Sequence, residues 1–167
     1  RQTHGTPMKI KGRLHRKIAR TEKLTTKGGI EEATGRDFIR TYQALFRLTN
    51  PDIELELLEK TQDNLGLQHL RFTQKYRGLP VWPCELMVHL NQQGDVYYVD
   101  ATSIPTPEGI PATARISREE AQRRALTDMG DPEHAKVTEP ELIVYGAFEA
   151  ANPRLAWKLD ITVAMHV

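Results

Sequence analysis

The first apolar repeat along the chain has the period of an α-helix. Its members are spaced i, i+4, i+7 and i+8, namely Phe38, Tyr42, Leu45 and Phe46. Thr34 followed by Asp37 predicts a capped start for this helix, and Gly29 is the alternative start. Pro51 predicts its end, because the residue before a proline avoids helical geometry.

From Ile53 onward the apolar positions recur every second residue, which is typical of strands with one buried face. The first predicted strand begins at Ile53 and continues through Leu55 and Leu57. The second, residues 67–76, has apolar residues on one face and polar residues on the other: Leu70, Phe72 and Tyr76 against His69, Arg71, Thr73 and Lys75.

Tight turns join these strands to two more. Arg77-Gly78 predicts the turn into a long strand from Val81 to Leu90, and Gln93-Gly94 predicts the turn into a return strand from Val96 to Val99. Three or four consecutive strands with short turns predict an antiparallel meander.

A proline-rich linker over residues 105–114 divides the chain into units 30–104 and 115–167. In the second unit, Ser117 and Glu120 form a predicted capping box, and Gly130 is suited to end the helix that follows. Two strands, Leu142–Tyr145 and Leu155–Val163, come next. The predicted fold class is therefore α+β, with two small modules that each pack a helix on an antiparallel sheet, as in cystatin-like folds.

Residues 1–29 are basic and contain one acid, Glu22. The favoured interpretation is a partly ordered arm; the alternative is an edge strand through the alternation of Met8, Ile10, Gly12 and Leu14. The arm's cations lack interleaved aromatic residues, which argues against nucleic-acid binding and for a solvated arm or a contact with an acidic protein surface.

Composition excludes several classes of protein. The chain has 167 residues, 39% of them hydrophobic, and a formal net charge of +1, so no strong overall attraction to nucleic acid or membranes is expected. No apolar run is long enough to span a bilayer, and the polar start at Arg1 shows no signal peptide. The single cysteine, Cys84, excludes an internal disulfide.

Catalytic motifs are absent from the sequence. It contains no His-Glu-x-x-His, phosphate loop or Gly-x-Ser-x-Gly elbow. His69 and His89 are placed to face each other across paired strands, but two imidazoles without a third ligand make a poor metal site. A small buried thiol is favoured over a nucleophile for Cys84. No enzymatic activity and no cofactor are therefore predicted.

Residues 66–96 resemble the FTP motif, the fungalysin/thermolysin propeptide module. The resemblance rests on Gly66, on a His-x-Arg-x-x-Gln-x-Tyr strand, on the glycine turn and Val-Trp pair that follow it, and on a Gly-x-Val return after the long strand. The residues concerned are His69, Arg71, Gln74, Tyr76, Gly78, Val81, Trp82, Gly94 and Val96. Pro83-Cys84 departs from the small residues that the family often has there. Residues 115–163 resemble the PepSY module, through Ile116–Ala121 and the two later strands.

The resemblance implies the prosegment of a secreted or periplasmic thermolysin-type zinc metallopeptidase, which acts as intramolecular chaperone and inhibitor of its cognate catalytic domain. It also implies further chain beyond Val167, where the family continues with another strand and a cleavage region. The motif residues either hold the module together or contact the partner, and both interpretations stay open. The alternative function is a free-standing FTP/PepSY protein that inhibits a peptidase in trans or binds peptides along a strand edge.

Overall fold

The computed structural model describes residues 5–18, 28–130, 134–146 and 152–163. Five antiparallel strands in the order β1-β5-β4-β3-β2 form its main sheet. Their bounds are β1 Lys9–His15, β2 Leu55–Gln62, β3 Gln68–Tyr76, β4 Leu79–Leu90 and β5 Val96–Ala101. The predicted meander from β2 to β5 is confirmed.

Strand β1 corrects the favoured interpretation of the N-terminal segment. Residues 9–15 form an edge strand antiparallel to β5, with Ile10 opposite Val99, and not a partly ordered arm. Pairing with β5 and packing of Ile10 and Leu14 on the core stabilise a strand whose basic residues remain in solvent. The remainder of the predicted arm, residues 1–4 and 19–27, lies outside the described residues.

Three helices precede β2: α1 Gly29–Thr41, α2 Gln43–Phe46 and α3 Pro51–Glu54. Helix α1 begins at the alternative start, Gly29, so the prediction of a cap at Thr34 is wrong. Thr34 lies buried within the helix and its hydroxyl donates to the Ile30 carbonyl at 2.8 Å. Ile53 belongs to α3 and is 75% exposed, so the strand predicted from Ile53 begins only at Leu55.

Helix α1 covers one face of the sheet and closes the larger core. Phe38 and Ile39 pack with Phe46 against sheet residues that are fully buried, among them Leu70, Phe72, Leu86, Val88 and Val99. Gly35 permits this close approach, because a Cβ there would lie 2.8 Å from Leu70 Cδ1. Burial of these side chains is the main stabilising contribution to this unit.

The second unit comprises α4 Arg118–Asp128, β6 Lys136–Val137, β7 Glu141–Tyr145, β8 Arg154–Lys158 and β9 Ile161–Thr162. The predicted cap is confirmed, since the Ser117 hydroxyl accepts from the Glu120 N–H at 3.2 Å, and Gly130 follows the helix with φ 81°. Strands β7 and β8 form the predicted hairpin. The single strand predicted over 155–163 is divided, because residues after Lys158 leave β7 and β9 pairs with β6.

The two units share one sheet. Strand β7 lies parallel to the start of β4, with Val81 opposite Val144 and Trp82 opposite Tyr145. The α+β class is confirmed, but the expectation of purely antiparallel sheets is wrong at this junction. The hairpin gains a hydrogen-bonding partner along one edge by docking on β4, which a separate two-stranded sheet lacks. The division at residues 105–114 stays a prediction.

Candidate partner-binding surface at the junction

Gln74 joins the meander to the linker. It occupies an inward position of β3 and is 0% exposed. Its amide nitrogen donates to the Ile104 carbonyl at 2.9 Å, and its amide oxygen accepts from the Ile104 N–H at 3.1 Å. The side chain thus replaces a strand partner for Ile104, the residue directly before the linker, and both buried backbone groups are satisfied.

Tyr76 continues this contact two residues later. It is 8% exposed, and its hydroxyl donates a long hydrogen bond of 3.4 Å to the Ile110 carbonyl. Its ring belongs to a second apolar cluster that spans β3, β4, the linker and β7: Tyr76, Val81, Cys84, Ile104, Ile110 and Val144. The linker between the units is therefore packed at both of these points.

The two motif glycines occupy turns that require positive φ. Gly78 has φ 83° and follows Arg77 at φ 50°, the combination of a two-residue type I′ hairpin turn between Tyr76 and Leu79. Gly94 has φ 84° in the turn before β5, where its N–H donates to the Asn91 carbonyl. Both glycines therefore allow the tight turns that join neighbouring strands of the meander.

Trp82 has the exposed position at the junction. It is 43% exposed, and its ring lies 5.8 Å from that of Tyr145 with an interplanar angle of 22°. Beside this aromatic pair, between α4 and the β7–β8 hairpin, lies an open groove of about 470 Å³ whose lining includes Ala125, Met129 and Trp157. An exposed tryptophan stacked on a half-buried tyrosine at the edge of an apolar groove is typical of protein-binding surfaces.

A larger groove of about 980 Å³ separates the linker from β8. Its wall is mostly apolar, with Ile110, Leu142 and Trp157, and three arginines and one glutamate also line it: Arg47, Arg115, Arg154 and Glu108. Trp157 crosses between the two sides, since its indole N–H donates to the Ile116 carbonyl at 3.1 Å. An extended peptide with apolar and acidic residues suits this lining.

His69 and His89 are brought together, as the strand pattern predicts. They lie opposite each other on β3 and β4, with their Nδ1 atoms 2.7 Å apart. His69 Nε2 is 3.2 Å from Asp63 Oδ2, and His89 Nε2 is 3.5 Å from Asp100 Oδ2. The described residues contain no group of three or more His, Cys, Asp or Glu that could hold a metal ion.

Arg71 lies beside this pair on the same face of β3. Its Nε is buried and has no hydrogen-bond partner, since the nearest carboxylate, Glu59 Oε2, is 3.9 Å away. Val81, the remaining apolar motif residue, is 0% exposed in the second cluster. The motif residues are thus divided between the core, the turns, the polar sheet face and the exposed Trp82.

Cys84 lies in the apolar cluster at the junction. It is 1% exposed, and burial raises the pKa of its thiol to about 12. Since the thiolate is the nucleophile, a thiol that stays protonated at neutral pH is inert. This agrees with the interpretation of Cys84 as a small buried side chain.

In the described part of the chain, no helix is long and apolar enough to cross a membrane.

The sequence pattern leaves the contact between the units undetected. The aromatic pair joins residues 63 positions apart, and nothing in the local pattern of either strand indicates the other. One signal was present for the linker: Gln74 follows Leu70 and Phe72 on the inward face of β3, and an amide at a core position needs a buried hydrogen-bond partner.

Comparison with known proteins gives two kinds of match. Residues 53–101 match the family model of the Fungalysin/Thermolysin Propeptide Motif. The chain is 32% identical over 117 residues to thermolysins from Alicyclobacillus acidocaldarius subsp. acidocaldarius and Bacillus caldolyticus, which covers 64% of this chain and 20% of each thermolysin. It is 31% identical over 51 residues to bacillolysin from Bacillus amyloliquefaciens. The chain thus spans about a fifth of the length of the thermolysins that it matches.

Proposed function

We propose that this chain is the prosegment of a thermolysin-type zinc metallopeptidase and serves its catalytic domain as folding aid and inhibitor. The observation that carries the proposal is the match of residues 53–101 to the propeptide motif, supported by the identity to thermolysins over 117 residues. The chain itself has no catalytic activity and needs no cofactor. We also propose that residues 115–167 form a PepSY-like module and that the protein is secreted or periplasmic.

The mechanism is selective binding of the native-like catalytic domain. A ligand that binds the folded but not the unfolded state stabilises the folded state by mass action. Covalent tethering in the precursor raises the effective concentration of the prosegment, so that a modest affinity suffices until the tether is cleaved. The fully buried core under α1 supports this role, because a preformed surface loses little conformational entropy on binding.

Trp82, Tyr145 and the groove beside α4 form the proposed contact with the catalytic domain. Trp82 combines exposure with a fixed orientation, since its backbone carbonyl accepts from the Gly146 N–H at 2.8 Å and its ring stacks on Tyr145. The other motif residues hold the fold in this proposal: Gln74, Tyr76 and Val81 in the core, Gly78 and Gly94 in turns, and His69 and Arg71 on the polar sheet face.

The test is inhibition of an active thermolysin-type peptidase by the purified chain added in excess. We expect saturable inhibition that is relieved as the chain is digested, and a higher yield when the denatured peptidase is refolded with the chain present. Met129→Lys places a charge in the groove and should weaken inhibition at least about tenfold, because an unpaired charge at an apolar contact costs on the order of 1.4 kcal/mol or more.

The matched control is Ile53→Lys, which adds the same charge at an apolar position that is 75% exposed and remote from the groove. It should inhibit like the parent chain. Equal weakening by both variants would contradict the proposed surface. Absence of both inhibition and refolding assistance from the folded chain would contradict the proposed function.

The second candidate function is a free-standing protein that binds peptides or inhibits a peptidase in trans. The groove along β8 favours it, because among the described residues β8 pairs only with β7, and a strand edge left open in this way can accept an extended segment. Saturable binding of an acidic, apolar peptide without any effect on a peptidase would support this candidate over the first.

A further inference from the structure

The two histidines occupy the centre of the sheet face opposite α1. Their side chains alternate with Leu70 and Val88, which face the helix, so the imidazoles lie on the polar side. They are half-buried, with His69 21% and His89 14% exposed. The Nδ1 atoms meet, and each Nε2 faces a carboxylate. His89 Nε2 is buried and, at 3.5 Å from Asp100 Oδ2, makes no hydrogen bond, whereas His69 Nε2 lies 3.2 Å from Asp63 Oδ2.

The hydrogen bonds that the pair can form depend on how many protons its four ring nitrogens carry. A neutral pair carries two N–H groups on four nitrogens, and one of them must lie between the Nδ1 atoms to form the 2.7 Å hydrogen bond. The ring that donates this bond then turns a bare Nε2 toward its carboxylate, at 3.2 Å for His69 or 3.5 Å for His89. Two acceptors facing each other are unfavourable in either tautomer.

One added proton removes this conflict. Both Nε2 atoms then carry hydrogen toward Asp63 and Asp100, and a single proton remains between the Nδ1 atoms. A second added proton would place two N–H groups head to head at 2.7 Å, and the hydrogen bond would be lost. The geometry therefore favours a pair with one shared positive charge and disfavours the states with fewer or more protons.

We propose that His69 and His89 form a proton-operated latch between β3 and β4, which is closed while the pair holds one shared proton and opens when acid supplies a second. The latch joins neighbouring central strands of the sheet. Its opening removes a cross-strand side-chain contact and separates two like charges. The inference does not depend on the proposed function.

The charged groups around the pair lie on β1, β2, β3 and β5 and just after β2. Asp63 follows β2, and Glu59 on β2 lies near Arg71 on β3. On the other side Asp100 on β5 accepts from the Tyr98 hydroxyl at 2.8 Å, and β1 places Lys9 opposite Asp100 and Lys11 opposite Tyr98. The two aspartates flank the pair directly and favour the first added proton. The cations of β1 lie one strand further away.

The direction of the His89 pKa agrees with this geometry. Burial, and then the charge of His69, lower the pKa of His89 below its ordinary 6.5, and Asp100 opposes the shift only partly. The unfolded chain therefore takes up this proton at a higher pH than the folded chain does. The contribution to stability is fully present above about pH 6.5 and is lost as the pH falls from there through the folded-state pKa.

The direct test is a titration of the intact, ¹⁵N-labelled chain followed by imidazole NMR from about pH 8.5 to about pH 4.5. Between the two proton-uptake steps we expect three protonated ring nitrogens in the pair and one proton coupled to both Nδ1 atoms. The two proton-uptake steps should be separated by more than about one pH unit. Independent titration of both rings at one common midpoint, without a shared proton, would overturn the proposal.

A second measurement is the melting temperature as a function of pH. The difference between neutral and mildly acidic pH should be smaller in His89→Gln than in the parent chain by about 2–4 °C, the shift for roughly 1 kcal/mol in a chain of this size. His134→Gln, at an exposed histidine away from the main sheet, is the control and should follow the parent curve. If His89→Gln and the parent have parallel curves, the latch does not exist.

Discussion

The two described helices longer than one turn are stabilised in opposite ways. Helix α1 has a glycine at its N-cap, whose N–H donates to Glu32, and it buries five residues, among them Phe38 and Ile39. Helix α4 has the Ser117 cap but buries only Ala121. Burial of side chains therefore contributes most to the stability of α1, whereas N-capping and ion pairs around Glu120 contribute more to the stability of α4.

The same contrast separates the two units. The first has a core of thirteen buried residues under α1. In the described part of the second, the buried apolar residues are Ala121 in α4 and Ile143 and Val144 in β7, the strand that pairs with β4. The second unit thus depends on the first for its sheet edge and for part of its apolar cluster.

The largest expected effect is that of Phe72→Ala in the first core. Phe72 is 0% exposed, and its truncation should lower the free energy of unfolding by about 3–5 kcal/mol. Because β7 needs β4, both units should unfold together. Denaturant unfolding followed by circular dichroism and by fluorescence checks this, since both tryptophans, Trp82 and Trp157, report on the junction and the second unit.

Coincident transitions by the two probes are expected for the parent chain and for Phe72→Ala. Met129→Ala, at a side chain that is 52% exposed, is the control and should change the free energy of unfolding by less than about 0.5 kcal/mol. A fluorescence transition that persists after the circular dichroism signal is lost would show that the second unit is independent.

The next effect is that of Gln74→Leu at the linker. Leucine fills the space but leaves the Ile104 N–H and carbonyl unpaired at a residue that is 1% exposed, at a cost of about 1–3 kcal/mol for each group. The linker should loosen and expose Cys84. Labelling by a thiol reagent at fixed pH should therefore be faster than in the parent chain, where the thiol is buried and its pKa is about 12.

Thr73→Ala is the matched control for this variant. Thr73 is the adjacent residue, but it lies on the opposite face of β3, where the linker does not run. It should leave the labelling rate of Cys84 unchanged. Equal rates for Gln74→Leu and the parent chain would mean that the amide contact does not close the junction.

Local periodicity predicted the parts of the fold that depend on neighbours in sequence. The meander, the turn at Arg77-Gly78, the Ser117 cap and the facing of His69 and His89 all follow from residues within about twenty positions. Thr34 and Ile53 were misassigned because tertiary contacts decided them. Thr34 is a buried residue inside the helix that begins at Gly29. Asn50 caps the short helix that begins at Pro51, and this helix places Ile53 in solvent.

The candidate site was less predictable than the fold. The motif marked Trp82, but its partner Tyr145 and the parallel pairing of β4 with β7 join distant segments, for which a single sequence carries no periodic signal. Likewise, the alternation of β3 placed Gln74 inward without indicating that its partner is Ile104, just before the linker. Sequence patterns identify which face of an element is buried, and they do not identify what covers it.

The smallest expected effect is that of Ser117→Ala at α4. Loss of the cap leaves the Glu120 N–H without its side-chain acceptor and should cost about 1 kcal/mol. Because α4 has little packing, this cost should appear as local opening: amide hydrogen exchange should rise about fivefold in α4 and stay unchanged in α1. Thr127→Ala, an exposed change within the same helix, should raise α4 exchange much less. If exchange rises equally in α1 and α4, the helices open as one unit, and the contrast between a packed and a capped helix fails.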